Sequence, residues 1–261
     1  MPAESGRLEA LLRHDRSVVL AGLAGVTVVA WAYVISVSRK NAMGVMEMVP
    51  GMAMPQMQSW EGPELFLLFV MWAVMMVAMM VPAAAPLLLM FVRAERQSAH
   101  NRVATSAALL LLGYLVVWWG FSAFASLVQW GLHTAALLSP AMVTTSSIFG
   151  GLLLLAAGVF QFSRLKRACL VRCRSPMSFL MSEWRSGRWG SFVLGVKHGA
   201  YCVGCCGVLM ALLLVAGVMN VLWIAALCLF VLVERIAPYG ERFSRIAGAV
   251  LILAGIALII S

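Results

Sequence analysis

Long apolar runs dominate the chain, and short polar segments separate them. A helix needs roughly 20 residues to cross the hydrocarbon core of a membrane. Lipid offers no hydrogen-bond partners to the backbone, so spanning segments of this kind must be helical. The pattern predicts an all-α, polytopic membrane protein that forms a single domain over residues 1–261. We expect about seven transmembrane helices, near residues 18–38, 63–92, 103–131, 142–162, 191–218, 219–234 and 246–261.

Composition excludes the soluble classes of protein. Of the 261 residues, 63% are hydrophobic and 11% charged, whereas soluble domains carry about 25% charged residues. The net charge of +9 could indicate nucleic-acid binding, but the basic residues lie in short segments between apolar runs. We therefore expect the lipid bilayer as a partner and no nucleic acid.

The basic residues also indicate an orientation. Seventeen of the 19 Lys and Arg residues fall at the N-terminus and in alternate loops, with Lys197 counted at the far edge of its loop, and only Arg39 and Lys40 lie on the opposite side. Since cytoplasmic loops carry the Lys and Arg excess, the N-terminus is expected inside. Residues 39–62 then form an outside loop, and residues 163–190 a basic cytoplasmic loop. The first apolar run exceeds the length of a signal-peptide core, so we expect it to be retained.

Methionine is concentrated in one region. Thioethers are soft ligands that select Cu(I), so the outside loop is a candidate metal-binding segment. The alternative is an apolar loop that rests on the membrane surface, since Met packs adaptably. The loop contains six methionines: Met43, Met46, Met48, Met52, Met54 and Met57.

The second apolar run is also rich in methionine. Met75 and Met79 follow one another at i, i+4, and Met76 and Met80 form a neighbouring stripe. Together with the loop they could form a path of soft ligands into the membrane. Ordinary helix packing or lipid contact is the alternative for these side chains.

Cysteine forms two clusters. In the fifth run, His198, Cys202 and Cys205 share a helix face about 60° wide, with Cys206 at its edge. Soft or borderline ligands on one face are typical of a metal site. Cys is also a common small apolar residue of membrane helices, which is the alternative interpretation and the one we favour for the lone Cys228.

The second cysteine cluster lies in the basic loop. Cys169 and Cys173 are four residues apart, and a continuous helix would place both thiols on one side. Gly195, Gly199 and Gly204 form a small-residue surface on the fifth run, which would let another helix approach closely. That helix could bring the methionine stripe or the Cys169/Cys173 pair.

One acidic residue ends the sixth run. Glu234 could pair with Arg235 or Lys197, or lie at the membrane edge, and the edge position is the one we favour.

Three segments resemble a known bacterial family of metal-binding integral membrane proteins, which includes a copper chaperone class that serves tyrosinase. They are MWAVMMVAMMVPAAAP, LKRACLVRCRSPMSFL and GVKHGAYCVGCCGVLMALLLVAGVMNVLWIAAL, and the resemblance covers about residues 60–239. Gly207 departs from it, because we expect a Trp after the paired cysteines. The resemblance implies a bacterial inner-membrane location and metal ligation by His198, Cys202, Cys205, Cys206, Cys169, Cys173, Met75, Met76, Met79 and Met80.

These features favour a non-enzymatic protein that handles Cu(I) as a copper chaperone or relay to a cuproenzyme. No nucleotide-binding loop or hydrolase nucleophile motif is present in the sequence. Two alternatives remain: a membrane redox or cofactor protein that uses the cysteine cluster, and a structural subunit of a membrane complex.

Overall fold

The computed structural model describes residues 2–46, 62–97, 103–135, 146–185 and 187–260. These residues are almost entirely helical and contain no strand, which confirms the predicted all-α class. The helices are α1 (Pro2–Met46), α2 (Gly62–Gln97), α3 (Val103–Thr134), α4 (Ser147–Gln161), α5 (Arg164–Arg174), α6 (Pro176–Glu183), α7 (Gly187–Ala211), α8 (Leu213–Ala216), α9 (Val221–Ile236) and α10 (Gly240–Ile260).

Five helical segments of the described chain are long and apolar enough to cross a membrane: Arg16–Lys40, Gly62–Arg96, Val103–Thr134, Gly187–Ala216 and Gly240–Ile260. A sixth is added if α4 and α5, which meet at a bend of 63°, form one broken span. With 15 and 16 residues, α4 and α9 are each shorter than a full crossing requires. The number seven and the orientation therefore stay predictions.

The predicted outside loop at residues 39–62 is only partly described. Helix α1 continues beyond the predicted span as far as Met46, and α2 begins at Gly62. Met48, Met52, Met54 and Met57 lie outside the described residues.

Side-chain caps define where the short helices begin. The Ser146 hydroxyl accepts from the Phe149 N–H at the start of α4, and the Ser163 hydroxyl accepts from the Lys166 N–H at the start of α5. Asn220 caps α9 in the same way. Such caps satisfy backbone donors that have no partner within the helix. Gly217, with φ of 91°, ends α8 in a conformation that favours glycine.

Helix α2 runs unbroken through two prolines. Pro82 has no N–H, so the carbonyl of Ala78 loses its usual intrahelical partner. The indole N–H of Trp31 on α1 donates to that carbonyl at 3.2 Å. The bond satisfies a buried acceptor and ties α1 to α2.

Glycines allow α3 and α7 to pack closely in the same direction. A Cβ at Gly195 would overlap the carbonyl of Leu110, and a Cβ at Gly199 would lie 3.1 Å from the carbonyl of Tyr114. The contacts advance together along both helices, so α3 and α7 run parallel. The close approach predicted from Gly195 and Gly199 is confirmed.

A second glycine-lined contact joins α4 to α10. A Cβ at Gly151 would lie 2.8 Å from the Gly255 carbonyl, and one at Gly158 would lie 2.8 Å from the Gly248 carbonyl. Here the residue numbers advance in opposite directions, so these two helices run antiparallel.

Candidate metal centre

The central face of α7 is buried within the helix bundle. His198 and Cys205 are each 1% exposed, and Cys202 and Cys206 are fully buried. Residues from α3, α5 and α9 contact the cysteine side chains. The α7 cysteines therefore face other helices and not the outer surface of the bundle.

Helix α5 brings the second cysteine pair to this face. The Sγ atoms of Cys173 and Cys205 lie 3.8 Å apart. A Cβ at position 204 would lie only 2.7 Å from the Sγ of Cys169, so Gly204 makes room for that thiol. The predicted approach of a second sulfur-bearing helix is confirmed. We call Cys169, Cys173, Cys202, Cys205 and Cys206 the sulfur cluster.

Tyr114 of α3 links the sulfur cluster to α2. Its fully buried hydroxyl lies 3.0 Å from Cys202 Sγ and donates to the carbonyl of Met80 at 3.1 Å. A hydroxyl has one proton, so while it donates to the carbonyl it can only accept from the thiol. Sequence reasoning missed this residue, because nothing in a single apolar helix shows which neighbour its tyrosine will meet.

Arg235, near the end of α9, reaches into the sulfur cluster. Its Nη2 atom lies 2.6 Å from the Sγ of Cys202, 3.5 Å from that of Cys205 and 3.8 Å from that of Cys206. The side chain is buried. From the sequence, Arg235 was considered only as a partner for Glu234. The signal that could have found it is its place at the end of the sixth apolar run, directly after Glu234, because ionisable residues within or beside apolar spans are functional candidates.

The donor atoms of the sulfur cluster are not arranged around a common point. In the described part of the chain, no group of three or more His, Cys, Asp or Glu side chains has a metal-binding arrangement. Two of the thiols instead donate to the carbonyl of Cys202, Cys206 at 2.9 Å and Cys205 at 3.2 Å. The residue types fit a soft ion, but the thiols would have to turn from these bonds to ligate it.

His198 lies beside the sulfur cluster among aromatic rings. Its ring centroid is 5.7 Å from that of Tyr114 and 5.3 Å from that of Phe179 on α6. Its Nδ1 atom is buried and has no hydrogen-bond partner among the described residues. A buried ring nitrogen without a partner is uncommon and leaves a donor or acceptor available.

The four predicted methionines of α2 are buried, each at most 1% exposed. Their side chains belong to the packed apolar core, and two of their carbonyls also contact neighbouring helices. The Met80 carbonyl accepts from Tyr114, and the Met79 carbonyl lies 3.7 Å from Cys228 Sγ. Met75, Met76, Met79 and Met80 thus lie in the interior of the bundle, and Tyr114 links the Met80 backbone to Cys202.

Glu234 is paired with Lys166, and not with Arg235 or Lys197, the two partners considered from the sequence. Glu234 and Lys166 form an ion pair with an Nζ–Oε1 distance of 2.6 Å, and both side chains are 1% exposed. Lys166 also contacts the Gln161 side chain, which accepts from Ser244 at 3.0 Å. The pair joins α5 to α9 and could not be read from sequence, because 68 positions separate the two residues along the chain.

Gly207 occupies the place where a Trp was expected. A Cβ there would lie 3.2 Å from Val203 and 3.4 Å from the Phe121 ring. The Phe121 ring therefore packs against the position that a larger side chain would need.

A match to one protein-family model identifies the family of this chain. The model of the copper chaperone family PpoB2 matches residues 69–258, which run from α2 to α10 and include all six cysteines. The chain belongs to this copper chaperone family. The resemblance noted in the sequence is thereby confirmed, and the family supports a copper-handling, non-catalytic role. No curated protein and no solved structure matches the chain.

Proposed function

We propose that this copper chaperone is a multi-pass protein of the bacterial inner membrane that binds Cu(I) and passes it to a cuproenzyme. The contact between Cys173 and Cys205 carries the proposal. It joins cysteines of two helices, 32 positions apart in sequence, inside a buried and largely apolar bundle. Two sulfurs that meet in this way can share one ion.

The ligand set that we propose is rich in sulfur. Cys173, Cys202, Cys205 and Cys206 supply the candidate sulfur ligands, of which two bind the ion as thiolates at one time, with Cys169 and His198 at the margin. Thiolate and thioether ligands favour Cu(I) over harder divalent ions, and thiols must deprotonate when they bind metal. We propose that Met75, Met76, Met79 and Met80 contribute neutral thioethers, which hold copper weakly enough to release it.

A membrane location is supported by the five to six helices that are long and apolar enough to cross. We propose seven spans with the N-terminus in the cytoplasm, residues 39–62 outside and residues 163–190 inside. In this arrangement α3 and α7 both run outward, as their parallel packing requires, and α4 runs opposite to α10.

The two short helices favour a binding site within the membrane. Helix α4 ends at Gln161 and α9 ends at Ile236, and both ends lie beside the polar and sulfur-bearing side chains just described. Interrupted helices at membrane depth are tolerated where they are buried in protein or line a site, and they often mark ion-binding positions. We propose that basic helix α5 closes the cytoplasmic side of this site.

Copper content of the purified protein tests this proposal. Full-length protein in detergent is loaded with Cu(I) under reducing, anaerobic conditions, desalted and analysed for copper. The Cys202→Ser/Cys205→Ser/Cys206→Ser variant should lose most of the bound copper, whereas Cys228→Ser, which changes a cysteine outside the cluster, should retain it. Equal copper in all three proteins would overturn the proposal. A haem or iron–sulfur absorption spectrum would favour the redox alternative.

A further inference from the structure

The guanidinium of Arg235 lies in an unusual environment for a buried cation. Its Nη2 atom faces three cysteine sulfurs, and Nη1 lies 3.5 Å from the carbonyl of Ala83 on α2. Its Nε atom has no hydrogen-bond partner among the described residues. Arginine remains protonated in proteins, so a full positive charge lies against the sulfur cluster.

No carboxylate in the described chain is close enough to balance this charge. The adjacent Glu234 is occupied by Lys166, and that pair is neutral as a whole. Leaving a buried charge without a counterion is costly. The groups in contact with Arg235 that can become negative are the cysteine sulfurs, with Cys202 nearest.

Counting charges then distinguishes the ions that the cluster could hold. Cu(I) bound by two thiolates has a net charge of −1, and Arg235 brings the sum to zero. A divalent ion on the same two thiolates is neutral, so the arginine charge stays uncompensated. A divalent ion needs a third thiolate to reach neutrality, at the cost of deprotonating another buried thiol.

We infer that Arg235 is the counterion that makes the sulfur cluster selective for a soft monovalent ion over divalent ions. This inference rests on the proposed function, since it assumes that the cluster binds Cu(I). Arg235 acts as a positioning and selectivity residue and is not itself a ligand. Its planar, weakly hydrated guanidinium suits a partly desolvated contact with thiolates better than an ammonium would.

The test compares the affinities of full-length wild-type, Arg235→Gln and Arg235→Lys proteins for Cu(I) and Zn(II). Cu(I) is titrated against a competing chelator, and Zn(II) against a chromophoric one, both in the same detergent. Arg174→Gln serves as a matched control, because Arg174 donates to the carbonyls of Ala237 and Pro238 instead of to sulfur.

Removing the charge of Arg235 should change the ratio of Cu(I) affinity to Zn(II) affinity. Removing the charge in Arg235→Gln should lower Cu(I) affinity by roughly ten- to a hundredfold, the range of a charge-assisted contact, while Zn(II) affinity is unchanged or increased. Arg235→Lys keeps the charge, so its Cu(I) to Zn(II) affinity ratio should remain close to that of wild type. Arg174→Gln should resemble wild type.

The outcomes separate this inference from the proposed function. If wild type binds Cu(I) no better than the triple cysteine variant, the proposed function fails. If wild type binds Cu(I) and Arg235→Gln leaves the Cu(I) to Zn(II) ratio unchanged, only the present inference fails. If Arg235→Gln does not fold, the Arg235→Lys variant alone provides the test. Because this variant retains the positive charge, a tenfold loss of its Cu(I) to Zn(II) affinity ratio would contradict the counterion role of Arg235.

Discussion

Cys173 and Cys205 are on different helices, α5 and α7, yet their Sγ atoms lie 3.8 Å apart. We expect a mild thiol oxidant to join them in a disulfide when copper is absent, because both thiols are free and in contact. Peptide mapping by mass spectrometry after alkylation of the remaining thiols measures the product.

Two controls make this prediction specific. Cys228, which lies beside the Met79 carbonyl, should remain unlinked. Prior loading with Cu(I) should suppress the cross-link if the same sulfurs hold the ion. A Cys173–Cys205 yield that Cu(I) does not reduce would argue against shared ligation by these two residues.

The buried Lys166–Glu234 pair should contribute strongly to stability. Glu234→Gln leaves the Lys166 ammonium buried without a counterion, and breaking a buried pair in this way typically costs about 3–5 kcal/mol. Chemical unfolding in detergent measures the loss. The exposed pair of Glu241 and Arg245, 3.8 Å apart, is the control, and Glu241→Gln should change stability by about 0–1 kcal/mol.

A double variant tests whether Lys166 and Glu234 stabilise the protein only when both charges are present. Lys166→Met/Glu234→Leu removes both charges and should be more stable than Glu234→Gln, because no buried charge is left alone. If Lys166→Met/Glu234→Leu loses as much stability as the sum of Lys166→Met and Glu234→Leu measured singly, the side chains contribute independently and the ion-pair account is wrong.

Close packing of α3 on α7 predicts the effect of one added methyl group. Gly195→Ala should destabilise the protein by roughly 1–3 kcal/mol, since the new Cβ would overlap the Leu110 carbonyl. Gly120→Ala on α3 adds the same methyl group where no atom lies within 4 Å and should be neutral or slightly stabilising. Midpoints of thermal unfolding distinguish the two variants. Equal midpoints would contradict the close contact of α3 with α7 at Gly195.

Several features of the fold were predictable because they are local. Apolar runs predict helices regardless of their neighbours, and the i, i+3 and i+4 spacing places Cys202, Cys205 and Cys206 on adjoining positions of α7. Small residues at 195, 199 and 204 predict close helix contacts for the same reason. The family resemblance rests on these same segments and is confirmed over residues 69–258.

Long-range relationships could not be predicted in this way. Which tyrosine meets Cys202, and which acidic residue pairs with Lys166, depends on how distant helices pack. Hydropathy measures the length of an apolar run but not where its helix ends in three dimensions. Glu234 was therefore expected at a membrane edge, and its buried pairing with Lys166 could not be foreseen. Arg235 was underestimated for the same reason.

The X-ray absorption spectrum of the Cu(I)-loaded protein tests the central claim most directly, because it reports the atoms bonded to copper. We predict a first shell composed of sulfur, with sulfur coordination reduced in both Cys173→Ser and Cys205→Ser and unchanged in Cys228→Ser. A first shell of nitrogen or oxygen, or a spectrum that neither cluster variant alters, would contradict the claim that these two helices hold copper together.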